Sequence, residues 1–329
     1  MQYHVPGPAH PFPAIPMNSP AEGAPPPRPA AGLDGRGLSA AAAAFFIWGL
    51  MPLYIKALSE VPVWQFTAHR LVWGCLFAIG VLAIGGTLGA VRTALAAPRT
   101  RWRLMASAML VTLNWTLYIW AVGAGRVVET SLGYFINPLL NVLIGVLFLS
   151  ERLNHVQWLA VTIATAGVLY LTWTTGQPPW IALALALSFG LYGLVRKLVA
   201  VEALPGFAAE TVLIMPVGVA FLVWCQVSGS GVFGHGGIGR DVALMLGGPL
   251  TAIPLVLFAF GARRIPYSTI GLLQYIGPSI QLALGVLVFH EPFHGPRAIG
   301  FGIIWLALAI YALDGLWRSR KMRMNAASW

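Results

Sequence analysis

Charge is what this chain has least of. Only 9% of its residues are Asp, Glu, Lys or Arg, against 58% hydrophobic, and its mean hydropathy is +0.76. A water-soluble globular chain carries about 25% charged residues, so a surface wetted on all sides is excluded. Cysteine is nearly absent as well. Cys75 and Cys225 fall in separate apolar stretches, a pattern that supports neither a metal cluster nor a disulfide framework and leaves both as small packing residues. Ten-residue stretches of alternating apolar and polar residues are missing, which removes a membrane β-barrel. No Walker loop, dinucleotide fingerprint or nucleophile elbow stands in a suitable context. Neither ATP use, nor a cofactor, nor catalysis is therefore expected.

What the chain does have is long apolar runs. A window of about 19 residues, the length of a membrane-crossing helix, finds ten of them. They lie near 38–58, 64–86, 104–123, 128–149, 156–174, 179–198, 207–228, 242–261, 267–289 and 297–317. The expected fold is an all-α polytopic membrane protein of ten transmembrane helices, with short connections joining antiparallel neighbours. Residues 1–37 are rich in Pro, Ala and Gly and lack apolar periodicity. They are expected to be a disordered tail, or sequence upstream of the true start codon. No basic region precedes a short apolar core there, so a cleavable signal peptide is not expected. Residues 318–329 form a basic tail.

The formal net charge is +10, which invites a nucleic-acid reading until its distribution is mapped. Ten crossings put both termini on one side. That side collects Arg28, Arg36, Arg92, Arg99, Arg101, Arg103, Arg152, Arg196, Lys197, Arg263, Arg264, Arg318, Arg320, Lys321 and Arg323. The other side holds Lys56, Arg126, Arg240 and Arg297, and Arg70 stays within a span. A bias of 15 to 4 follows the positive-inside rule. Both termini are therefore expected in the cytoplasm, with the basic excess against anionic lipid headgroups and no nucleic-acid partner. The chain is expected in a bacterial inner membrane, as a monomer or homodimer.

One segment occurs twice. Glu129-Thr-Ser-Leu-Gly-Tyr-Phe-Ile-Asn-Pro138, ending at Glu151-Arg-Leu, is answered by Tyr267-Ser-Thr-Ile-Gly-Leu-Leu-Gln-Tyr-Ile-Gly-Pro278, ending at Glu291-Pro-Phe. The two prolines and the two glutamates are each 140 residues apart, while Gly133 and Gly271 are 138 apart. Upstream, Trp48-Gly49-Leu50 with Lys56 matches Phe189-Gly190-Leu191 with Lys197, and Phe66 and His69 fall opposite Phe207 and Glu210. Each repeat, 38–174 and 179–317, thus holds five spans. Five is odd, so the second repeat enters from the opposite face and the repeats are inverted. That arrangement suits alternating access around a central site.

Phe46-Ile-Trp-Gly49, Asn114-Trp-Thr-Leu-Tyr-Ile-Trp-Ala121, Ser131-Leu-Gly-Tyr-Phe-Ile-Asn-Pro138 and Leu272-Leu-Gln-Tyr-Ile-Gly-Pro278 resemble the RarD-type permeases of the EamA group in the drug/metabolite transporter superfamily. The resemblance covers roughly 38–317. It implies a ten-helix inner-membrane permease of two inverted five-helix repeats, related to chloramphenicol-sensitivity permeases and to exporters of amino acids and other small metabolites. Export by proton exchange is implied by this resemblance alone. An uncoupled facilitator or exchanger is the alternative.

Polar groups in a span are costly and need a reason. Arg70 either faces a cavity and holds an anionic substrate group through forked hydrogen bonds, or snorkels, or pairs with Glu129 or Glu210. Asn114 and Tyr118 share a helical face, where an amide and a phenol between aromatic rings suit a flat substrate; Asn114 could instead bridge helices. Tyr134, Asn137 and Asn141 form a polar stripe beside Pro138, which frees a backbone carbonyl. Gln274 and Tyr275 stand beside Pro278 in the second copy. Proline-interrupted spans at corresponding positions point to a transporter's binding site. Glu129, Glu210 and His69 are the candidate proton-coupling groups. Glu151 and Glu291 end spans just before the next helix, where capping or loop ordering is expected.

His290-Glu291-Pro292-Phe293-His294 fits H-E-x-x-H, and an intramembrane zinc protease with Asp314 as third ligand is the reading from another class. Zinc would need both histidines on one face of a continuous helix, and Pro292 interrupts it. Asp314 lies about 30 Å further along at 1.5 Å per residue. No metal is therefore expected, and the favoured reading is a secondary transporter of small organic metabolites or drugs.

Overall fold

The computed structural model describes residues 34–149, 153–262, 264–265, 269–270 and 273–327. Residues 1–33, Glu151 and the start of the ninth expected span lie outside them. Among the described residues every regular element is helical.

α1 (Gly35–Gly49) begins where the Asp34 side chain accepts from the Arg36 amide at 3.0 Å, an N-cap that satisfies one orphan donor. A break at Leu50 leads into α2 (Met51–Ala57), with Pro52 in the first turn, where a missing N–H does no harm. Next come α3 (Val63–Ile84), α4 (Leu88–Ala96), α5 (Pro98–Gly123) and α6 (Val127–Leu149). α7 (His155–Thr175) opens on a capping box between Asn154 and Gln157 and stops at Gly176, whose φ is +75°. α8 (Trp180–Lys197), α9 (Ala203–Val227) and α10 (Ile238–Ala262) follow. α11 (Ile276–Ala283) runs into a π-helical turn, Leu284–Val288, and α12 (Pro296–Ala327) ends the chain's described part. Counting α1 and α2 as one crossing, nine stretches among the described residues are long and apolar enough to span a bilayer, and Ile276–Val288 is a shorter tenth.

Two elements differ from the expectation. α4 occupies the second connection, too short for a hydropathy window to detect; it buries Val91 and Ala94 and packs on α9 and α5. α12 continues through most of the basic tail to Ala327, because nothing after Gly315 breaks it and Arg, Lys, Met and Ala all favour helix.

Helix contacts come in matched sets. α3 packs on α9, α7 on α12 and α6 on α11; α6 meets α8 as α11 meets α1; α5 meets α8 as α10 meets α1; α3 meets α10 as α9 meets α5. Close approach is enforced by small residues. A Cβ on Gly133 of α6 would lie 2.8 Å from the Ala182 carbonyl of α8, and one on Gly247 of α10 would lie 2.9 Å from the Tyr54 hydroxyl and 3.6 Å from Arg70 Cα. The second of these contacts seats α10 directly against the charged turn of α3.

Candidate functional site

The first turns of α3 are buried without interruption from Gln65 to Leu71, because α9 and α10 both pack on them. Arg70 lies in that run, only 5% exposed, which excludes snorkelling. Its guanidinium carbon sits 4.4 Å from the centroid of the Trp115 ring on α5. Among the described residues no carboxylate pairs with it, and its Nε has no hydrogen-bond partner. The acids considered from sequence are engaged elsewhere, Glu129 with Arg126 at 3.6 Å and Glu210 with Arg196 at 3.5 Å. The nearby Tyr54 hydroxyl already donates to the Ala243 carbonyl at 2.9 Å. A guanidinium at the centre of a helix in lipid costs about 2.5–3.5 kcal/mol on insertion scales. A desolvated cation–π contact returns about 2 kcal/mol.

An aromatic wall continues from this cation. Trp115 packs edge-on to Tyr118 at 5.6 Å, Tyr118 to Tyr134 at 5.7 Å and Tyr134 to Phe189 at 6.3 Å. Tyr118 is 1% exposed and its hydroxyl has no partner among the described residues. One turn beyond Tyr134, Asn137 is buried and its Oδ1 is also unpartnered. Buried polar groups are almost always satisfied; open atoms also occur on Arg196 and Glu210, but here they fall around an unpaired cation. The structure thus brings Arg70, Tyr118 and Tyr134 together, with Asn137 next to them.

The other expected site residues separate from this group. Asn114 bridges helices: its amide donates to the Leu185 carbonyl and to Ser188 Oγ of α8, both at 2.9 Å. Asn141 is exposed and abuts the Gly190 position of α8. Tyr275 stacks on Phe135 at 6.3 Å, in a second aromatic cluster with Phe301 and Trp305. Gln274 and Tyr275 form the turn where the helix is interrupted before α11, and Pro278 has no N–H to offer the Gln274 carbonyl. Pro138, by contrast, sits inside an unbroken α6.

Gln281 was not singled out from sequence. It is 4% exposed, its amide donates to the Trp48 carbonyl at 3.3 Å, and its Oε1 has no partner. The signal was available: Gln281 stands 140 residues after Asn141, the spacing that relates the two prolines. Trp115 was noticed only as a neighbour of Asn114, and its role under Arg70 depends on helix rotation, which hydropathy does not encode.

The expected titrating groups are all engaged. His69 is 5% exposed and stacks on Phe233 at 5.3 Å, a residue of the 228–237 connection. Gln65 fastens the same connection by donating to Ser230 and accepting from the Val232 amide, at 2.8 and 3.0 Å. Glu210, 2% exposed, accepts from Ser107 Oγ at 2.6 Å besides facing Arg196. Glu129 accepts from the Ile181 amide at 3.3 Å at the start of α8.

Glu291 does not cap the helix that follows it. His290 turns the chain through a φ of +54°, and the Glu291 carboxylate accepts from the Val127 and Val128 amides of α6 at 2.7 and 2.8 Å. Burial raises this carboxyl above its ordinary range, while the two amides, Lys56 and Arg297 pull it back. Glu129 and Glu291 both line a cavity of about 310 Å³ where α6 and α8 begin. The H-E-x-x-H segment is irregular throughout, so its histidines share no helical face. Asp314 accepts instead from Asn154 at 2.8 Å, at the far end of α12.

Comparison with known proteins defines the class. The EamA-like transporter family matches residues 35–173. The chain is 42% identical over 286 residues to the protein RarD of Salmonella typhi, covering 87% of this chain and 97% of that one. It is 42% identical over 281 residues to RarD of Streptomyces exfoliatus, covering 85% and 89%. It is 29% identical over 298 residues to the chloramphenicol-sensitive protein RarD of Pseudomonas aeruginosa, covering 88% and 97%. A solved crystal structure at 20% identity superimposes with a TM-score of 0.54 over 83% of this chain and 97% of that one, a likeness of fold alone. This chain is a multi-pass membrane protein of the transporter class, and it belongs to the RarD family of EamA-like permeases.

Proposed function

We propose that this chain is a secondary transporter that carries small organic molecules across a bacterial inner membrane by alternating access. Both termini lie in the cytoplasm, and 38–174 and 179–317 act as inverted repeats that rock about a shared site. The matched helix contacts support the repeat reading. The observation that carries the function is the pair of unpartnered amide oxygens, Asn137 Oδ1 and Gln281 Oε1. They lie on α6 and α11, the helices of the repeated proline segment, which pack on one another. Polar groups left open beside matching prolines in the two repeats suit a transporter's midplane site.

Transport is export in exchange for protons, with Glu129 and His69 the titrating groups and Glu210 kept by its ion pair with Arg196. The name of the Pseudomonas aeruginosa relative adds chloramphenicol to the amino acids, nucleosides and aromatic drugs worth testing. The test is counterflow: proteoliposomes preloaded with one compound take up its labelled form. Exchange above protein-free liposomes is expected, reduced at least tenfold by Asn137→Ala and Gln281→Ala at equal protein incorporation. Full exchange by both variants, or no exchange with any compound, would overturn the reading. Dependence of net flux on an imposed pH gradient separates proton exchange from uncoupled facilitation.

A further inference from the structure

We propose that the substrate is a monoanion, a carboxylate borne on a planar aromatic body, and that Arg70 is its anchor. The inference rests on the transporter reading and names the ligand of that same site. Three observations carry it. First, Arg70 is buried in a span with no counter-charge among the described residues and with its Nε unpartnered. A cation at that depth calls for an anion, and Arg196 shows how the chain supplies one from its own residues, by facing Glu210. At Arg70 that partner is missing.

Second, Trp115 covers the guanidinium at 4.4 Å. That contact covers one side of the guanidinium, whose N–H groups suit the paired oxygens of a carboxylate. Third, Tyr118 and Tyr134 extend the aromatic surface away from the cation, and the Tyr118 hydroxyl is free to donate.

Charge arithmetic narrows the class. One guanidinium neutralises one negative charge; a phosphate dianion would leave a net negative charge in a low-dielectric site, where that is costly. A zwitterionic amino acid would need an acid for its ammonium group, and Glu129 and Glu210 are held by Arg126 and Arg196. An aromatic acid without an amine satisfies the site.

The test is thermal stabilisation of detergent-purified full-length protein in chloride-free buffer, with benzoate and indole-3-acetate as probes, benzamide and indole-3-acetamide as neutral twins, and chloride as the inorganic control. The acids are expected to raise the melting temperature in a saturable way, with the amides at least tenfold weaker and chloride inert. Arg70→Gln should remove the effect, and Tyr118→Phe should weaken it severalfold while keeping the fold if the arginine variant does not purify. Equal stabilisation by acids and amides, an equal shift from chloride, or full response in either variant would overturn the assignment. Arg70-dependent binding of acids without counterflow would sink the transport reading and leave this one standing. Counterflow of neutral compounds that needs Asn137 but not Arg70 would do the reverse.

Discussion

Two arginines, one in each expected repeat, Arg70 buried and Arg196 partly so, are treated in opposite ways. Arg196 on α8 faces Glu210 on α9, which also accepts from Ser107 on α5; three helices are thereby tied at one point. Arg70 on α3 has an indole beneath it and no carboxylate among the described residues. Removing one member of a buried pair leaves an uncompensated charge, so the first arrangement resists change. An isolated cation costs folding energy within a span, and on the proposal above a bound anion offsets that cost.

The comparison is broken most severely at Glu210. Glu210→Ala is expected to lower stability by about 3 kcal/mol, the lower end of the 3–5 kcal/mol for such a loss, because the Arg196 side chain remains 15% exposed. Thermal unfolding in detergent should show it, and Arg196→Leu added to Glu210→Leu should recover most of the loss. If Glu210→Ala is as stable as the parent yet inactive, the pair belongs to the mechanism and the contrast with Arg70 fails.

Glu291 gives a smaller effect of the same kind. Its carboxylate holds the first two amides of α6 from 163 and 164 residues away, and losing an N-cap costs about 1–2 kcal/mol. Glu291→Ala should lower the melting temperature accordingly, with Glu291→Gln intermediate because one carbonyl acceptor remains. Exchange at a temperature where the variant stays folded should persist. Abolished exchange in a fully folded Glu291→Gln would instead make this carboxylate a coupling group.

Much of this was open to a reader of the sequence. Hydropathy located nine crossings to within about six residues, since it measures the property that lipid selects, while the ninth expected span is met among the described residues only by the shorter Ile276–Val288. The 140-residue spacing pointed to the two prolines, and followed further it would have pointed to Gln281. What could not be read was rotation and reach. Asn114 and Arg70 are both polar residues in apolar runs, and only packing reveals that one bridges α5 to α8 while the other lacks a hydrogen-bonding or ionic partner among the described residues. That Glu291 caps α6 rather than the next helix depends on the turn at His290, a backbone choice that its residue type does not announce. α4 was hidden because nine residues are too few for a hydropathy window, although Val91 and Ala94 anchor it firmly.

The smallest effect is also the most discriminating, because its sign is reversed. Arg70→Leu removes a charge that costs about 2.5–3.5 kcal/mol in the membrane together with a cation–π contact that returns about 2 kcal/mol. The variant should therefore be as stable as the parent, or more stable by about 1 kcal/mol, with counterflow reduced to background. Glu210→Ala loses stability first, and any loss of exchange should track the loss of folded protein. Melting temperature plotted against exchange rate for the two variants separates the roles, one falling along the stability axis and the other along the activity axis. Were Arg70→Leu to unfold the protein, the guanidinium would have a structural partner, and the two arginines would be doing the same job.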